Sequence, residues 1–410
     1  MKNIVNILFA LFLFSSNHLS AQSGCTDPLA TNYNASATQN DGTCVYGAAS
    51  VAPFSSFYIT SNLIETSGLL YWNKQFWSHN DNGDTYLYTL DTLDGSLQQV
   101  YNLTGTVNTD WEEIADDSSY IYLGDFGNSL NGNRTDLKIL RIDKSSLLLN
   151  SPLIDTIAFS YPDQVSFNPT GSNNTDFDCE AMVVSTDSIY LFTKQWITHQ
   201  TKVYAVAKVA GNHIATYKTI YNVQGLITGA VALPNKSCMV LCGYTDILEP
   251  FFYLLYDYNG TNYFSGNVRK VNIALPFHQV EGVTTTNGTL YYFTNENFMQ
   301  GSLNIPQQLH ALDMSSYLSN YLNSLTGLEE KANSSGIHVF PNPVSNILGF
   351  KTPTAKGSYQ INDCEGKTIL RGAISNTQTF IQLSTIKKGV YYLTVNNEHG
   401  AYSSSEFVVL

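Results

Sequence analysis

The sequence predicts an all-β protein, a β-propeller followed by a small C-terminal β-sandwich. Composition is the first ground: 27 Tyr and 21 Phe bring aromatics to 13%, charged residues stop at 13%, and long Ala/Glu/Lys/Leu stretches are missing. That balance favours strands and turns over helices. A repeat is the second ground. An oxygen-bearing side chain, then mostly a small or acidic residue, then an apolar one recurs at Ser67-Gly68-Leu69, Glu112-Glu113-Ile114, Glu180-Ala181-Met182, Thr228-Gly229-Ala230 and Glu281-Gly282-Val283. The spacing is about fifty residues, a period typical of radially repeated folds. Third, each repeat is followed by further strand-like runs separated by turn residues, as in the four-stranded sheets of a propeller blade.

The blades read off in order. The first takes Gly68–Asn73, Gln75–His79, Thr85–Asp91 and Leu97–Leu103, with turns at Asn80-Asp81-Asn82-Gly83-Asp84 and Asp94-Gly95. For the second, the runs are Ile114-Ala115, Tyr120–Leu123, Leu137–Ile142 and Ile154–Tyr161. Ala181–Ser185, Ser188–Thr193, Lys202–Val209 and Ile214–Val223 make the third. The fourth has Gly229–Leu233, Met239–Gly243, Phe251–Tyr258 and Val268–Ile273. A fifth offers Val283–Thr286, Thr289–Thr294 and Gln308–Asp313 and lacks an outer strand, which Pro53–Thr60 can supply. Closing the ring this way hides strand edges that would otherwise stay exposed. Five blades are expected. The long interval from Glu112 to Glu180 leaves a sixth open, although the turn-rich Gly127–Thr135 and Asn168–Thr175 account for its excess.

The flanks set the compartment. Met1-Lys2-Asn3, the apolar Ile4–Phe14 and Ser20-Ala21 before Gln22 read as a secretory signal peptide over 1–21. No later stretch is long and apolar enough to cross a bilayer. Cys25 and Cys44 bracket a polar module over 22–48, and in an exported protein a disulfide between them is expected. Cys238 and Cys242 share one face of an apolar strand and are read as buried thiols, while Cys179 and Cys364 have no evident partner. The formal charge of −13 leaves no basic stripe for phosphates and excludes a nucleic-acid partner. The propeller is placed at 50–325, a polar linker at 326–336 and a final β-domain at 337–410. Nothing calls for an oligomer, and a monomer is expected.

Two short motifs carry family resemblances. Gly24-Cys25-Thr26-Asp27-Pro28, with Asn40-Asp41-Gly42-Thr43-Cys44, resembles the Gly-Cys-Thr-Asp-Pro modules of exported Bacteroidetes proteins. Asp27, Asn34 and Asp41 could hold calcium there, or the module could be a disulfide-closed spacer. At the other end, His338-Val339-Phe340-Pro341-Asn342-Pro343-Val344 and Gly389-Val390-Tyr391-Tyr392-Leu393 resemble the type A C-terminal sorting domain of type IX secretion. That resemblance implies the type IX machinery as a partner and delivery to the cell surface or the medium.

The repeat itself is the candidate functional site. Inner strands of a propeller line its axis, so Ser67, Glu112, Glu180, Thr228 and Glu281 would aim oxygens at one point. Two positions earlier stand Glu65, Asp110, Asp178, Leu226 and Gln279. Converging carboxylates repel unless protonated or neutralised. Oxygen-only ligands point to calcium, and the alternative is carboxylates held by neighbouring backbone with no metal. The arrangement resembles the calcium-dependent apyrases, secreted five-bladed propellers with one axial calcium, and this implies those five residues as metal ligands. Around the same mouth the turns carry His79, Asn80, Asp81, Asp84, Asp125, Asn128, Lys194, Trp196, Tyr244, Asn295 and Glu296, a mixture suited to a polar extracellular ligand such as a glycan or small molecule. An apyrase-like hydrolase would use His79, Asp81, Asp125 and Lys194 as its catalytic candidates, with calcium polarising the phosphoryl group. A non-catalytic structural surface protein is the third reading, and the fold does not choose among them.

Overall fold

The computed structural model describes residues 22–234, 236–325, 338–351, 356–363, 366–384, 386–397 and 402–410; the expected signal peptide, the linker and Cys364 lie outside the described residues. The chain divides into two compact units, Met1–Leu325 and Thr326–Leu410. Among the described residues, nearly all the regular structure of both is strand.

The first unit contains five sheets that share one plan: an inner strand, a second and third strand in antiparallel succession, and an outer strand. The first sheet runs Thr66–Trp72, Gln75–Asn80, Tyr86–Leu90, Leu97–Asn102. Its first hairpin turns on Asn73 and Lys74, both at positive φ, which matches the right-handed strand twist. The second sheet is Trp111–Asp116, Tyr120–Asp125, Lys138–Asp143, Ile154–Ser160. The third is Asp178–Val184, Ser188–Lys194, Thr201–Ala207, Thr216–Tyr221. Leu226–Ala232, Cys238–Tyr244, Pro250–Tyr256 and Asn267–Ile273 form the fourth, with Ser50–Val51 added parallel to Asn267–Ile273 at its edge. In the fifth, Val280–Thr285, Leu290–Asn295 and Gln308–Asp313 are completed by Ser55–Tyr58, which pairs antiparallel with Gln308–Asp313.

Burial along these strands follows position in the sheet. Cys238–Tyr244 and Pro250–Tyr256 are buried at every residue, because both faces of the sheet are covered, and their sequences are correspondingly apolar. The outer Leu97–Asn102 buries only Tyr101 and is polar at Gln98, Gln99 and Asn102. Covering comes from the neighbouring sheets. Trp77, Tyr101, Ile121 and Leu140 join the first sheet to the second; Tyr122, Ile139, Leu191 and Tyr204 join the second to the third. Phe192 and Val203 meet Leu241 and Phe251 between the third and fourth, and Phe252 and Leu254 meet Tyr291 and Phe293 between the fourth and fifth. A last cluster, Ile59, Leu69, Phe76, Leu90 and Leu309, joins the fifth to the first. The helix Ser315–Ser324 lays Leu318 and Leu322 into the cluster between the fourth and fifth sheets.

Two details differ from the sequence reading. The run expected as one outer strand over Ile214–Val223 is divided: Gly211–Ile214 pairs parallel with Ile154–Ser160 of the second sheet, and Thr216–Tyr221 stays in the third. Ala215 is the buried pivot, its N–H donating to the Ser160 carbonyl at 2.9 Å. The long interval after Glu112 is filled by the helix Lys144–Leu148 and by loops, and every strand in it belongs to the second sheet or opens the third.

The N-terminal module is closed by the expected Cys25–Cys44 disulfide and is docked on the fourth sheet. Asp27 accepts from the Tyr46 hydroxyl at 2.8 Å, from the Tyr256 hydroxyl of the fourth sheet, and from the Leu29 N–H at 2.9 Å. Asn40 donates to Asp257 at 2.8 Å and to Asn267 at 3.1 Å. Asp41 is engaged with Thr43, and Asn34 with the Ser36 N–H, so the three oxygens considered for calcium serve turns and docking instead. Cys179, Cys238 and Cys242 are free buried thiols.

In the second unit, His338–Phe340, Ile347–Lys351 and Gln378–Gln382 form one sheet, and Thr368–Ile374, Gly357–Asp363, Gly389–Asn397 and Tyr402–Val409 form the other. Leu348, Phe350 and Ile381 of the first sheet share a core with Ile361, Leu393, Val395 and Phe407 of the second. Alternation in Gly389–Asn397, with Tyr391, Leu393 and Val395 inward, is the period of a half-buried strand.

Close approach of the inner strands depends on missing side chains. A Cβ on Gly229 would stand 2.2 Å from the Glu281 carbonyl oxygen, and one on Gly282 would stand 2.5 Å from the Ser67 carbonyl oxygen. Gly229→Ala is therefore expected to destabilise the first unit by about 1–3 kcal/mol through overpacking, read from urea unfolding. Gly47→Ala, which meets nothing within 4 Å, is the neutral control.

Candidate functional site

Every inner strand carries a β-bulge near its start, at the repeated oxygen-bearing residue. In the first sheet pairing passes from Thr66 to Leu69, leaving out Ser67 and Gly68. It passes over Glu112 in the second, Glu180 in the third and Thr228 in the fourth. In the fifth it leaves out Glu281 and Gly282. A bulge releases a residue from the ladder and re-aims its side chain. The five positions expected from the repeat are thus structurally equivalent, and all five are buried.

Their side chains are not equivalent. Ser67 Oγ donates to the Glu112 carbonyl at 2.6 Å, and Thr228 Oγ1 donates to the Val280 carbonyl at 2.5 Å. These two hydroxyls clamp one inner strand to the next. The glutamates supply the charge. Glu112, Glu180 and Asp178 bring carboxylate oxygens within 4.8 Å of one another. Asp178, at the head of its strand, also accepts from the Asn128 N–H at 2.6 Å and from Trp196 Nε1 at 2.8 Å. Lys194, buried at the end of the next strand, reaches Glu180 at 2.9 Å and lies over the rings of Trp196 and Tyr244.

Electrostatics in this hub are dominated by burial and like charge. Burial first, and then Glu180, push Glu112 well above the ordinary carboxylate value. Glu180 is raised well above it too, by burial, although Lys194 opposes the shift. Asp110 is pushed up to about 7 by burial and by Asp178, and Glu281 up to about 7 by burial against the pull of Lys194. Burial disfavours the charge on Lys194, yet Glu180, Tyr244 and Glu281 hold its pKa well above that of an ordinary lysine. One ammonium faces Glu112, Asp178, Glu180 and Glu281, so the hub retains protons or needs further positive charge.

Of the residues expected on the rim, several are fixed inside their sheets. His79 is wholly buried, with Nδ1 3.1 Å from the Asn80 carbonyl, and burial lowers its pKa to about 4; a general base at an open mouth would need access that this ring lacks. Asp125 is buried and paired with Arg134 and Lys138, each at 2.7 Å, which leaves neither oxygen free to orient water. Asn80 bridges Asn62 and Asp84, Asn128 holds the Phe177 carbonyl, and Asn295 holds the Glu296 and Pro306 carbonyls. Asp81, Trp196 and Glu296 are partly exposed, while Tyr244 is buried.

Glu113 was not singled out by the sequence pattern except as a variant of the small residue. It is fully buried and accepts from its neighbour Ile114 N–H at 3.0 Å and, across the hub, from the Ala230 N–H of the fourth sheet at 2.8 Å. The available signal was that an acid occupies a place where the other repeats have Gly or Ala. Just past it, Ile114, Met182 and Ala230 line a cavity of about 800 Å3 together with Leu69 and Val283, one residue from each inner strand. The carboxylates and this cavity, whose wall also carries Asp116, Asp117, Lys208 and Lys236, therefore lie at opposite ends of the same strands.

The C-terminal unit has a recognisable family. Residues 338–409 match the secretion system C-terminal sorting domain. No curated protein matches the chain. Among solved structures, PorZ, described as an essential bacterial surface component of the type-IX secretion system of Porphyromonas gingivalis, is similar at 12% identity and a TM-score of 0.30, over 84% of this chain and 45% of that one. The chain thus spans under half of PorZ. An exo-β-1,3-galactanase from Phanerochaete chrysosporium is similar at 10% identity and a TM-score of 0.35, over 87% of this chain and 98% of that one. The extracellular domain of BT4673 from B. thetaiotaomicron is similar at 10% identity and a TM-score of 0.29, over 89% of this chain and 59% of that one. Overlaps this loose say nothing about function. No helix among the described residues is long and apolar enough to cross a membrane. The chain carries a type IX C-terminal sorting domain and is exported to the cell surface or the medium.

Proposed function

We propose that residues 50–325 form a five-bladed β-propeller, exported by type IX secretion, that binds calcium at its hub and presents the surrounding mouth to a polar extracellular ligand. The carrying observation is the convergence of Glu112, Asp178 and Glu180 within 4.8 Å at a bulge repeated in all five sheets. Five interfacial clusters, the last returning from the fifth sheet to the first, support the ring. Calcium accepts six to eight oxygens in irregular geometry, which suits carboxylates supplemented by the lone pairs of Ser67 and Thr228. Lys194 supplies one positive charge on the Glu180 side, and the cation supplies the rest.

At the mouth, Asp81, Trp196 and Glu296 stand where a glycan or small polar molecule would meet carboxylates beside an aromatic ring. This arrangement favours recognition over hydrolysis. Asp125 and His79, two of the catalytic candidates, are engaged or enclosed, which leaves Asp81 as the one acidic candidate still open to water.

Thermal unfolding of the purified chain tests the hub. Calcium is expected to raise the melting temperature relative to EDTA, as any ligand of the folded form must. Glu180→Gln is expected to remove most of that increment, and an equal increment in the variant would refute the site. Lys194→Met leaves Glu180 buried and unpaired and is expected to cost about 3–5 kcal/mol in EDTA; calcium should restore part of it. The pH dependence has a definite sign. Asp110 and Glu281 are raised to about 7, and Asp81 to about 6, from ordinary values of 3.8 and 4.5. The folded chain then holds protons that the unfolded chain has released, so stability in EDTA falls as pH rises through that window. Calcium competes with those protons, and its stabilising increment should grow from about pH 5 to about pH 8.

A further inference from the structure

We propose that the cavity at the far ends of the inner strands binds a small anionic amphiphile, a molecule with an apolar body and one carboxylate-like head. The cavity measures about 800 Å3, a size suited to a small-molecule pocket. Each of the five inner strands gives it one apolar side chain: Leu69, Ile114, Met182, Ala230 and Val283. Leu70, Val183, Val231 and Leu233 extend this apolar lining. Such a surface offers a ligand body no hydrogen-bond partner and gains from being covered. A polar tie stands between it and the hub, since Glu113, one residue before Ile114, accepts from the Ala230 N–H at 2.8 Å.

The charged side chains of the wall set the sign of the head. Asp116 is held by Lys144 at 2.5 Å, and Asp117 by Lys208 at 2.8 Å. Asp117 also accepts from the Ser119 and Tyr120 N–H groups, each at 2.9 Å. Both carboxylates are therefore answered within the protein. Lys236 is not. It is exposed in the turn between the first two strands of the fourth sheet, and among the described residues no hydrogen bond or ion pair reaches its ammonium. The Asp257 N–H donates to the Ser237 carbonyl at 2.8 Å, which sets Tyr258 on the segment beside Lys236. Tyr258 and Tyr263 both line the cavity, and among the described residues neither hydroxyl has a hydrogen-bond partner. One uncommitted cation and two uncommitted donors beside an apolar lining match an anionic head on an apolar body. A cationic ligand would meet only carboxylates that are already paired, and a sugar would leave the apolar lining without a partner. This site does not depend on calcium at the hub.

Isothermal titration calorimetry of the purified chain with decanoate below its micellar concentration tests the site, and running it in EDTA keeps the result separate from that of the hub. One saturable decanoate per chain is expected. Lys236→Met is expected to weaken binding about tenfold or more, the weight of one charge-assisted hydrogen bond, with an unchanged melting temperature because the residue is exposed. Lys236→Arg should bind as the wild type does. Decanol, the same body without the charge, is expected to bind the wild type and Lys236→Met alike. Ala232→Trp adds bulk to the cavity wall and is expected to abolish binding of both. The absence of saturable decanoate binding, or an affinity that Lys236→Met leaves unchanged, would overturn the proposal, as would undiminished binding by a folded Ala232→Trp variant.

Discussion

Charge crowding at the heads of the inner strands is the constraint around which the first unit is organised. Glu112, Asp178, Glu180 and Glu281 sit in a space sealed by protein, with Lys194 as the neighbouring cation. An isolated buried carboxylate is expensive, and several together compound the cost. They are brought together because each inner strand is bulged at the same place, so the backbone imposes the convergence and the side chains must accommodate it. Protons, Lys194 and, on our reading, calcium are the available accommodations.

The same bulge also explains how the sheets hold together at their narrowest point. Where the bulged residue is a hydroxyl, it clamps the backbone of the following sheet, as Ser67 and Thr228 do. Where the next residue is Gly, the neighbouring backbone approaches within a distance no Cβ allows. Where it is Glu113, the carboxylate reaches across to a backbone N–H of the fourth sheet. Position in the repeat therefore assigns tasks: one residue faces the hub, the next sets the spacing, and the third enters the walls of the cavity beyond.

Much of this was legible in the sequence because it is periodic. Strand-length runs between Asn, Asp and Gly turns marked the five sheets, and Pro53–Thr60 was a strand-like run that could supply the fifth with an outer strand, a role taken by Ser55–Tyr58. The repeated oxygen-bearing residue marked the bulge. What escaped was partnership. His79 and Asp125 lie in turn-like sequence at strand ends, where exposure was expected, yet tertiary packing buries the first and two cations bind the second. Lys194 looked like a rim residue, although its place is beside Glu180. Asp27 carried a motif suggestive of calcium and instead anchors the N-terminal module through two tyrosines. Such contacts join residues far apart in the chain, and no local pattern records them.

Diffraction at long wavelength, from crystals of the protein grown with calcium, tests the central claim most directly. The account predicts an anomalous peak roughly 2.3–2.6 Å from carboxylate oxygens of Glu112, Asp178 and Glu180, with Lys194 still paired to Glu180. Density showing those carboxylates bonded only to Lys194, to each other and to backbone, with no anomalous scatterer between them, would contradict it.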